Sequence, residues 1–482
     1  MFMGLSGNQY RPLSKDQIEA IHETSLRLLE KTGFGYEDGL DDVISELEAA
    51  GIKNDAVKRR LTFPREKIDA AVQKAPDQVI LYSRNGKYDL DLGEHRVYLG
   101  TGGAAVRILD LESGTARPTT LKDLYQLGRL ADYLDNIHFF LRPCVPNDIP
   151  PEAYDSNVAY SCLKSTGKHV MVGVNDVNGM IQAHRIASLV AGGDEKLREK
   201  PFISMTSGYC ISPLKLCSEP MRIILESAKR GIPVALSSAP MSGSNAPMTM
   251  AGTLAQVHAE QLAGITICQI VVPGSKSIYG AIPGMADLSS MRYVGGAIEH
   301  GMMNAAIHQM SNHINVPNYN SCGLTDSKLP DIQAGWEKAF TTMLVAMGGS
   351  NFIHHAAGML ESLMTVSYEQ YVIDNEIIGY VCKAMKGIDV DPEHLALEVI
   401  DAVGPGGNYF TQGHTLQHLR SEFCYGFGLS DRSSREKWED AGSKDARERA
   451  REITRQVLEK DEVSYIPDPV DKKIKEEFNI LI

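Results

Sequence analysis

Between residues 96 and 355 eight short apolar runs alternate with amphipathic helical stretches, and this alternation constrains the fold more than any other feature of the chain. The runs are 96–100, 137–141, 169–174, 202–205, 232–236, 277–281, 318–322 and 351–355. They end in segments rich in Gly, Ser, Thr, Asn and Pro, such as Thr101-Gly-Gly103, Ser237-Ser-Ala-Pro240 and Ile282-Pro-Gly284. A strand–helix repeat of this count and spacing predicts a parallel (β/α)8 barrel rather than an open doubly wound sheet. The class is α/β: a TIM barrel over 91–388, with added N-terminal helices over 1–90 and a C-terminal helical extension over 389–482 packed on the barrel. In the first region, Ser14 with Gln17 three residues on predicts the capped start of a helix reaching Lys31. A second helix is predicted from Asp38 to Ala50, and Pro64 opens a third. Beyond the barrel, helices are predicted over 392–402, 414–423 and 443–460.

Charge narrows the partners. With 48 Lys and Arg against 61 Asp and Glu, the net charge of −13 argues against nucleic acid or an anionic membrane surface as the main partner. The longest apolar stretch, 265–272, is interrupted by Thr266 and Gln269 and falls far short of the ~18 residues of a membrane span. The opening residues carry no charged-then-apolar signal pattern, so a cytoplasmic protein is expected. Eight cysteines without a CxxC suggest neither a disulfide framework nor a zinc knuckle.

Active sites of such barrels sit at the C-terminal ends of the strands. Those ends offer hydroxyls, aromatics and a few charges, but no phosphate-binding Gly-rich loop and no G-x-S-x-G elbow. Gly404-Pro-Gly-Gly407 reads as a turn between helices. His300, His308 and His313 share one predicted helix, where core or interface roles are the commoner use. On a strand the adjacent His354 and His355 point to opposite faces. No bound metal is expected from these spacings. Tyr98, Phe139, Phe140, Tyr209, Tyr279 and Phe352 fall at strand ends, where barrel packing explains each singly and a cation-binding aromatic cage is the alternative for the group.

Three stretches have a recognisable character: Gly323-Leu-Thr-Asp-Ser-Lys-Leu-Pro-Asp-Ile-Gln-Ala-Gly335, Gly404-Pro-Gly-Gly-Asn-Tyr-Phe410 leading to His414 and Arg420, and Leu28-Leu-Glu-Lys-Thr-Gly33. Together they resemble the trimethylamine methyltransferase superfamily over nearly the whole chain. The founding branch carries pyrrolysine; this chain has only the twenty standard residues and so resembles the non-pyrrolysine branch. That resemblance implies a (β/α)8 barrel that moves a methyl group from a quaternary amine to the Co(I) of a corrinoid protein. Cobalamin is then carried by a partner, and no metal is tightly bound by this chain. Glycine betaine is the first candidate substrate, with proline betaine, carnitine or another betaine as alternatives. A non-catalytic betaine-binding barrel is the competing reading from another class, and a barrel lyase or hydrolase is a further one.

The pyrrolysine-equivalent region is placed in the loop around Asp326 to Lys328. A quaternary ammonium is already cationic and leaves as a neutral amine, so no general acid, and no certain catalytic residue, is assigned. The same resemblance suggests Tyr98, Phe140, Tyr209, Tyr279 and Phe352 for the ammonium cage. Arg142, Lys328, His354 and His355 are the candidates for a substrate carboxylate, Arg being the best bidentate donor. Gly406, Gly407 and His414 are the candidates for the rim that meets the corrinoid. A homo-oligomer joined through its outer helices would keep that rim free.

Overall fold

A computed structural model describes residues 4–290, 292–461 and 464–482. Every apolar run contains a strand: β1 (Arg96–Leu99), β2 (Phe139–Leu141), β3 (His169–Val172), β4 (Ile203–Ser207), β5 (Val234–Ser238), β6 (Ser277–Ala281), β7 (Tyr319–Ser321) and β8 (Phe352–His354). Strands β2 to β6 form one parallel sheet in sequence order. Strands β7, β8 and β1 form a second. Parallel bridges Gly100–Phe139 and Tyr279–Asn318 join the two sheets into a closed ring.

Each strand leads into a helix: α1 (Leu121–Tyr133), α2 (Tyr154–Ser165), α3 (Val177–Ala191), α4 (Ser218–Lys229), α5 (Met250–Val271), α6 (Ile298–His313), α7 (Ile332–Gly348) and α8 (Tyr368–Lys386). Local chemistry fixes their ends. Thr120 and Asp123 form a capping box on α1, Asp331 caps α7, and Gly349 closes α7 with a left-handed φ of 97°. Helix α5 is buried almost all round, because the barrel covers one side and the N-terminal helices the other. That two-sided burial explains the long apolar stretch at 265–272. No described helix is long and apolar enough to cross a membrane.

Helices Lys15–Arg27, Asp41–Ala49 and Arg65–Val72 occupy the N-terminal region, the first with the Ser14–Gln17 capping box. This region also holds strands, which helical periodicity did not reveal. Phe34–Tyr36, Lys53–Asp55 and Arg60–Thr62 share a sheet with Cys210–Ile211 and Lys215–Leu216 from the loop between β4 and α4. A hairpin of Val79–Leu81 and Leu90–Leu92 closes the N-terminal end of the barrel with its four leucine and valine side chains.

Toward the C-terminus, Ala446–Leu458 packs on α8 and α1, and Arg451 reaches the buried Glu369 carboxylate of α8 at 3.0 Å. Between them the chain runs outside the core. Helices Pro392–Leu395, Leu397–Val403 and Gly413–Glu422 contain no buried residue. The helix predicted over 392–402 is split in two where Ala396 takes φ 51°.

Candidate active site

Alternation along the strands decides what faces the lumen. Tyr98, Phe139, Leu141, Met171, Ala235, Ile278, Tyr319 and Phe352 come from seven of the eight strands yet form one buried cluster with the closing hairpin, so they fill the barrel interior. Their neighbours Phe140, Val170, Met205, Leu236, Tyr279 and Ile353 belong to the larger core beneath the helices.

The lumen holds a platform of rings. Phe139 and Phe352 lie 4.0 Å apart between centroids, Tyr319 sits 5.7 Å from Phe352, and His354 stacks on Tyr319 at 4.4 Å and 12°. The His354 Nδ1–H donates to the Asn320 carbonyl at 2.6 Å, which leaves the Nε2 lone pair free. Burial lowers the His354 pKa to about 3 and pushes His355 well below its ordinary value, so both rings are neutral at physiological pH. The two rings do not diverge as a strand would dictate. His355 takes φ 63° just past β8, which turns its ring to within 3.6 Å of His354. His355 Nδ1 meets Ser321 Oγ at 2.8 Å; Ser321 Oγ lies 3.3 Å from His300 Nε2, and His300 Nδ1 lies 3.3 Å from the Tyr293 hydroxyl. A polar chain thus runs from the end of β8 to a cleft on the rim.

That cleft, about 710 Å³, is lined by Arg107, Asp287, Arg292, Tyr293, Lys328 and Glu361, with Asp326 behind them. Asp326 accepts from the Gly295 and Gly296 amides at 3.1 Å each and from the Ser362 hydroxyl. Lys328 is exposed and donates to the Asp326 carbonyl at 2.7 Å. On the opposite side, at the end of β2, the half-buried Arg142 donates to the Tyr154 hydroxyl of α2 at 3.0 Å. Among the described residues it makes no ion pair, so most of its guanidinium fork remains available.

A buried ion pair holds the loops above β7 and β8. Lys338 of α7 lies 3.1 Å from the Asp374 carboxylate of α8, and the two side chains are 0 and 1 % exposed. The Lys338 ammonium also donates to the carbonyls of Gly323 and, at 3.1 Å, Met359. Asp374 accepts from the Gly358 amide at 2.7 Å and from Gln370 at 2.9 Å. Gly103 packs beside this loop, where an added Cβ would meet Met359 Sδ at 2.5 Å.

The structure therefore sorts the predicted residues. Phe352 lies in the lumen at the start of β8, His354 and His355 lie side by side at its end, and Arg142 and Lys328 stand on separate parts of the rim. Tyr98 faces inward, paired in register with Phe352, but its hydroxyl points to the closed end, accepting from the Gly4 and Asp91 amides at 3.1 Å. Phe140 points outward toward α1; the strand places Phe139 in the lumen instead. Tyr209 is buried against α5, where its hydroxyl donates to the Glu260 carbonyl at 2.5 Å. Tyr279 also faces α5 and meets His258 Nδ1 at 2.8 Å, and His258 Nε2 in turn meets His22 at 2.9 Å. These three cannot belong to a cage in the lumen. Gly406 and Gly407 lie in the exposed turn after Leu397–Val403, and His414 is spent on the Glu393 carbonyl at 3.2 Å. Residues not singled out from the sequence are Tyr319, Tyr154 and the Lys338–Asp374 pair. Tyr319 and Phe139 were findable from strand register; the ion pair joins two helices with no local signal.

The sequence profile of the family described as trimethylamine methyltransferase (MTTB) matches residues 5–480. The chain is similar to the trimethylamine methyltransferase MttB of Desulfitobacterium hafniense, 35% identical over 98% of this chain and 92% of that one. A glycine betaine methyltransferase of Desulfitobacterium hafniense is 31% identical over 98% and 96% of the two chains. In fold, the crystal structure of the monomethylamine methyltransferase of Methanosarcina barkeri is similar, with TM-score 0.50, 12% identity, and 94% and 93% of the two chains covered.

Proposed function

The chain belongs to the trimethylamine methyltransferase family, and from that premise we propose that it transfers a methyl group from a carboxylate-bearing quaternary amine, glycine betaine first, to the Co(I) of a corrinoid protein. The observation that carries the carboxylate is Arg142, half-buried on the rim with no ion pair among the described residues and with the Tyr154 hydroxyl fixing its direction. A half-buried guanidinium with most of its donors unspent is suited to take a carboxylate in bidentate fashion.

The platform of Phe139, Phe352, Tyr319 and His354 supports the ammonium end. Aromatic faces attract a quaternary ammonium by about 0.5–2 kcal/mol each, and a neutral His354 adds no repelling charge. The methyl acceptor, carried by a separate protein, supplies the electron pair that forms the new bond to carbon. The C–N pair stays on nitrogen and the amine leaves neutral, so no proton has to be delivered. The neutral His354 and His355 suit a site that needs no general acid. This chain's share of the work is to orient the N–CH3 bond outward and to exclude water. A homo-oligomer joined through its outer helices would leave the mouth open to the corrinoid protein.

The test offers glycine betaine, proline betaine, carnitine, choline and trimethylamine with reduced cobalamin, reading loss of the Co(I) absorbance and release of the demethylated amine. Turnover of a betaine and not of trimethylamine is expected. Arg142→Gln should lower kcat/KM for the betaine about 10- to 100-fold, the worth of one charge-assisted hydrogen-bonded contact, and leave choline unaffected. An equal loss across the panel would remove Arg142 from the substrate. Turnover of trimethylamine alone would replace the substrate class, and binding without turnover, with the cognate corrinoid protein present, would favour a betaine-binding barrel.

A further inference from the structure

We propose that His394, His418 and Glu422 form a binding site for a first-row divalent transition-metal ion, zinc being the representative, which pins the coreless segment between residues 388 and 427. One ligand atom from each residue lies within 4.8 Å of the others. His418 and Glu422 are four residues apart on the helix Gly413–Glu422 and share its face; His394 approaches from the helix Pro392–Leu395. Imidazole nitrogens with a carboxylate oxygen, i and i+4 on a helix, are a donor set suited to zinc and its neighbours.

Three further observations fit a metal better than a chance meeting. The His394 Nδ1–H donates to the Asp391 carboxylate at 2.8 Å, the outer-shell contact that fixes the tautomer and presents the Nε2 lone pair. His418 Nε2 is buried yet has no hydrogen-bond partner among the described residues. Its nearest acceptor, Glu393 Oε1 at 3.3 Å, is already taken by Gln417 at 2.6 Å. His414 lies tilted against His418 with centroids 4.3 Å apart, and its own Nε2–H is spent on the Glu393 carbonyl, so it packs His418 in place. With three protein ligands, the fourth position opens toward solvent.

The fold supplies the reason for such a clasp. None of the three helices in this segment buries a residue, while Leu397 and Phe410 are 74 and 85 % exposed. A segment without a core of its own needs a staple, and a metal joining residue 394 to residue 418 closes it. In sequence these donors appear as His414-x3-His418-x3-Glu422, a spacing that neither the histidines of α6 nor the His354–His355 pair has.

The test uses the tag-free full chain, stripped with a chelator and titrated with Zn2+ by calorimetry, and with Co2+ by visible absorption. One equivalent per chain and the ligand-field bands of a four-coordinate Co2+ are expected. His394→Ala and His418→Ala should each abolish saturable binding, His418→Cys should retain it, and Asp391→Asn should weaken it about 10- to 100-fold. His184→Ala, elsewhere on the surface, should bind as the parent does. Zinc should slow proteolytic cleavage between residues 388 and 427 in the parent and not in the double variant His394→Ala/His418→Ala. Because these side chains lie outside the barrel, circular dichroism should show every variant folded. An isotherm for the parent indistinguishable from that of the double variant would overturn the proposal, whatever the outcome of the methyl-transfer assay.

Discussion

Removing the Lys338 charge should destabilise the barrel in a way that depends on pH. In Lys338→Met the Asp374 carboxylate, 1 % exposed, loses its counter-ion, and the carbonyls of Gly323 and Met359 lose a donor. Breaking a buried pair from one side costs about 3–5 kcal/mol. Unfolding entropy of about 2.1 cal/mol/K per residue over 482 residues converts that to a fall in Tm of about 3–5 °C at neutral pH. Burial already pushes the Asp374 carboxyl up from 3.8 to about 6, against the opposing pull of Lys338. Between those values the folded state holds a proton that the unfolded state has released, so the parent loses stability as pH rises through that window and then levels off. Without Lys338 the carboxyl keeps its proton to higher pH, so the variant goes on losing stability above pH 6. The gap between parent and variant should therefore widen above pH 6 by up to about 1.4 kcal/mol per pH unit, until the variant's own carboxyl ionises. Urea denaturation at pH 5.5, 7 and 8.5 measures it. A gap of constant size across these three values would refute the charge argument and leave only lost packing. The double variant Lys338→Met/Asp374→Leu should not recover the parent's stability, because the Gly358 amide and two carbonyls then stand without partners.

Tyr279→Phe should lower stability by about 1–3 kcal/mol, since it leaves His258 Nδ1 without its partner, yet leave KM for the methyl donor unchanged. A tenfold rise in KM in steady-state assays would return Tyr279 to the lumen. Acid should unfold the protein early. Burial lowers His300 and His308 to about 4 and His354 to about 3, so below pH 6.5 the unfolded chain takes up protons that the folded chain does not. Stability is then lost as pH falls from 6.5 toward 4, and His308→Gln should flatten that limb of a Tm-against-pH curve; an unaltered slope would contradict it.

The barrel was legible because strand and helix write different periods into the sequence, and all eight runs hold a strand whose bounds lie within two residues of those expected. The short strands 34–36, 53–55 and 60–62 were not, since each has three residues and finds its partners through a sheet that includes residues 210–216. Side-chain direction was the weaker part of the reading. Along β2 the choice between Phe139 and Phe140 turns on a single residue of register, and the apolar run 137–141 has no polar alternation to settle it because both faces of a barrel strand are buried. The same two-sided burial hid Tyr279, which is as fully buried facing α5 as it would be facing the lumen.

What the sequence offers at the rim is therefore residue type without direction, and direction comes from contacts distant along the chain. Arg142 and Tyr154 are twelve residues apart, Ser321 and His355 thirty-four, and Lys338 and Asp374 span two helices. His355 shows the cost of reasoning from local geometry alone: a strand would separate it from His354, but a left-handed φ at the strand's end sets the two rings side by side. That departure from regular backbone lies where β8 opens into the mouth, beside the ring platform proposed to hold the ammonium. Strained backbone at such a place persists only when surrounding contacts fix it, and here Ser321 holds the His355 ring while the Asn320 carbonyl holds its neighbour His354. The position of His355 is thus a property of β7 and β8 together, which neither run of residues contains by itself.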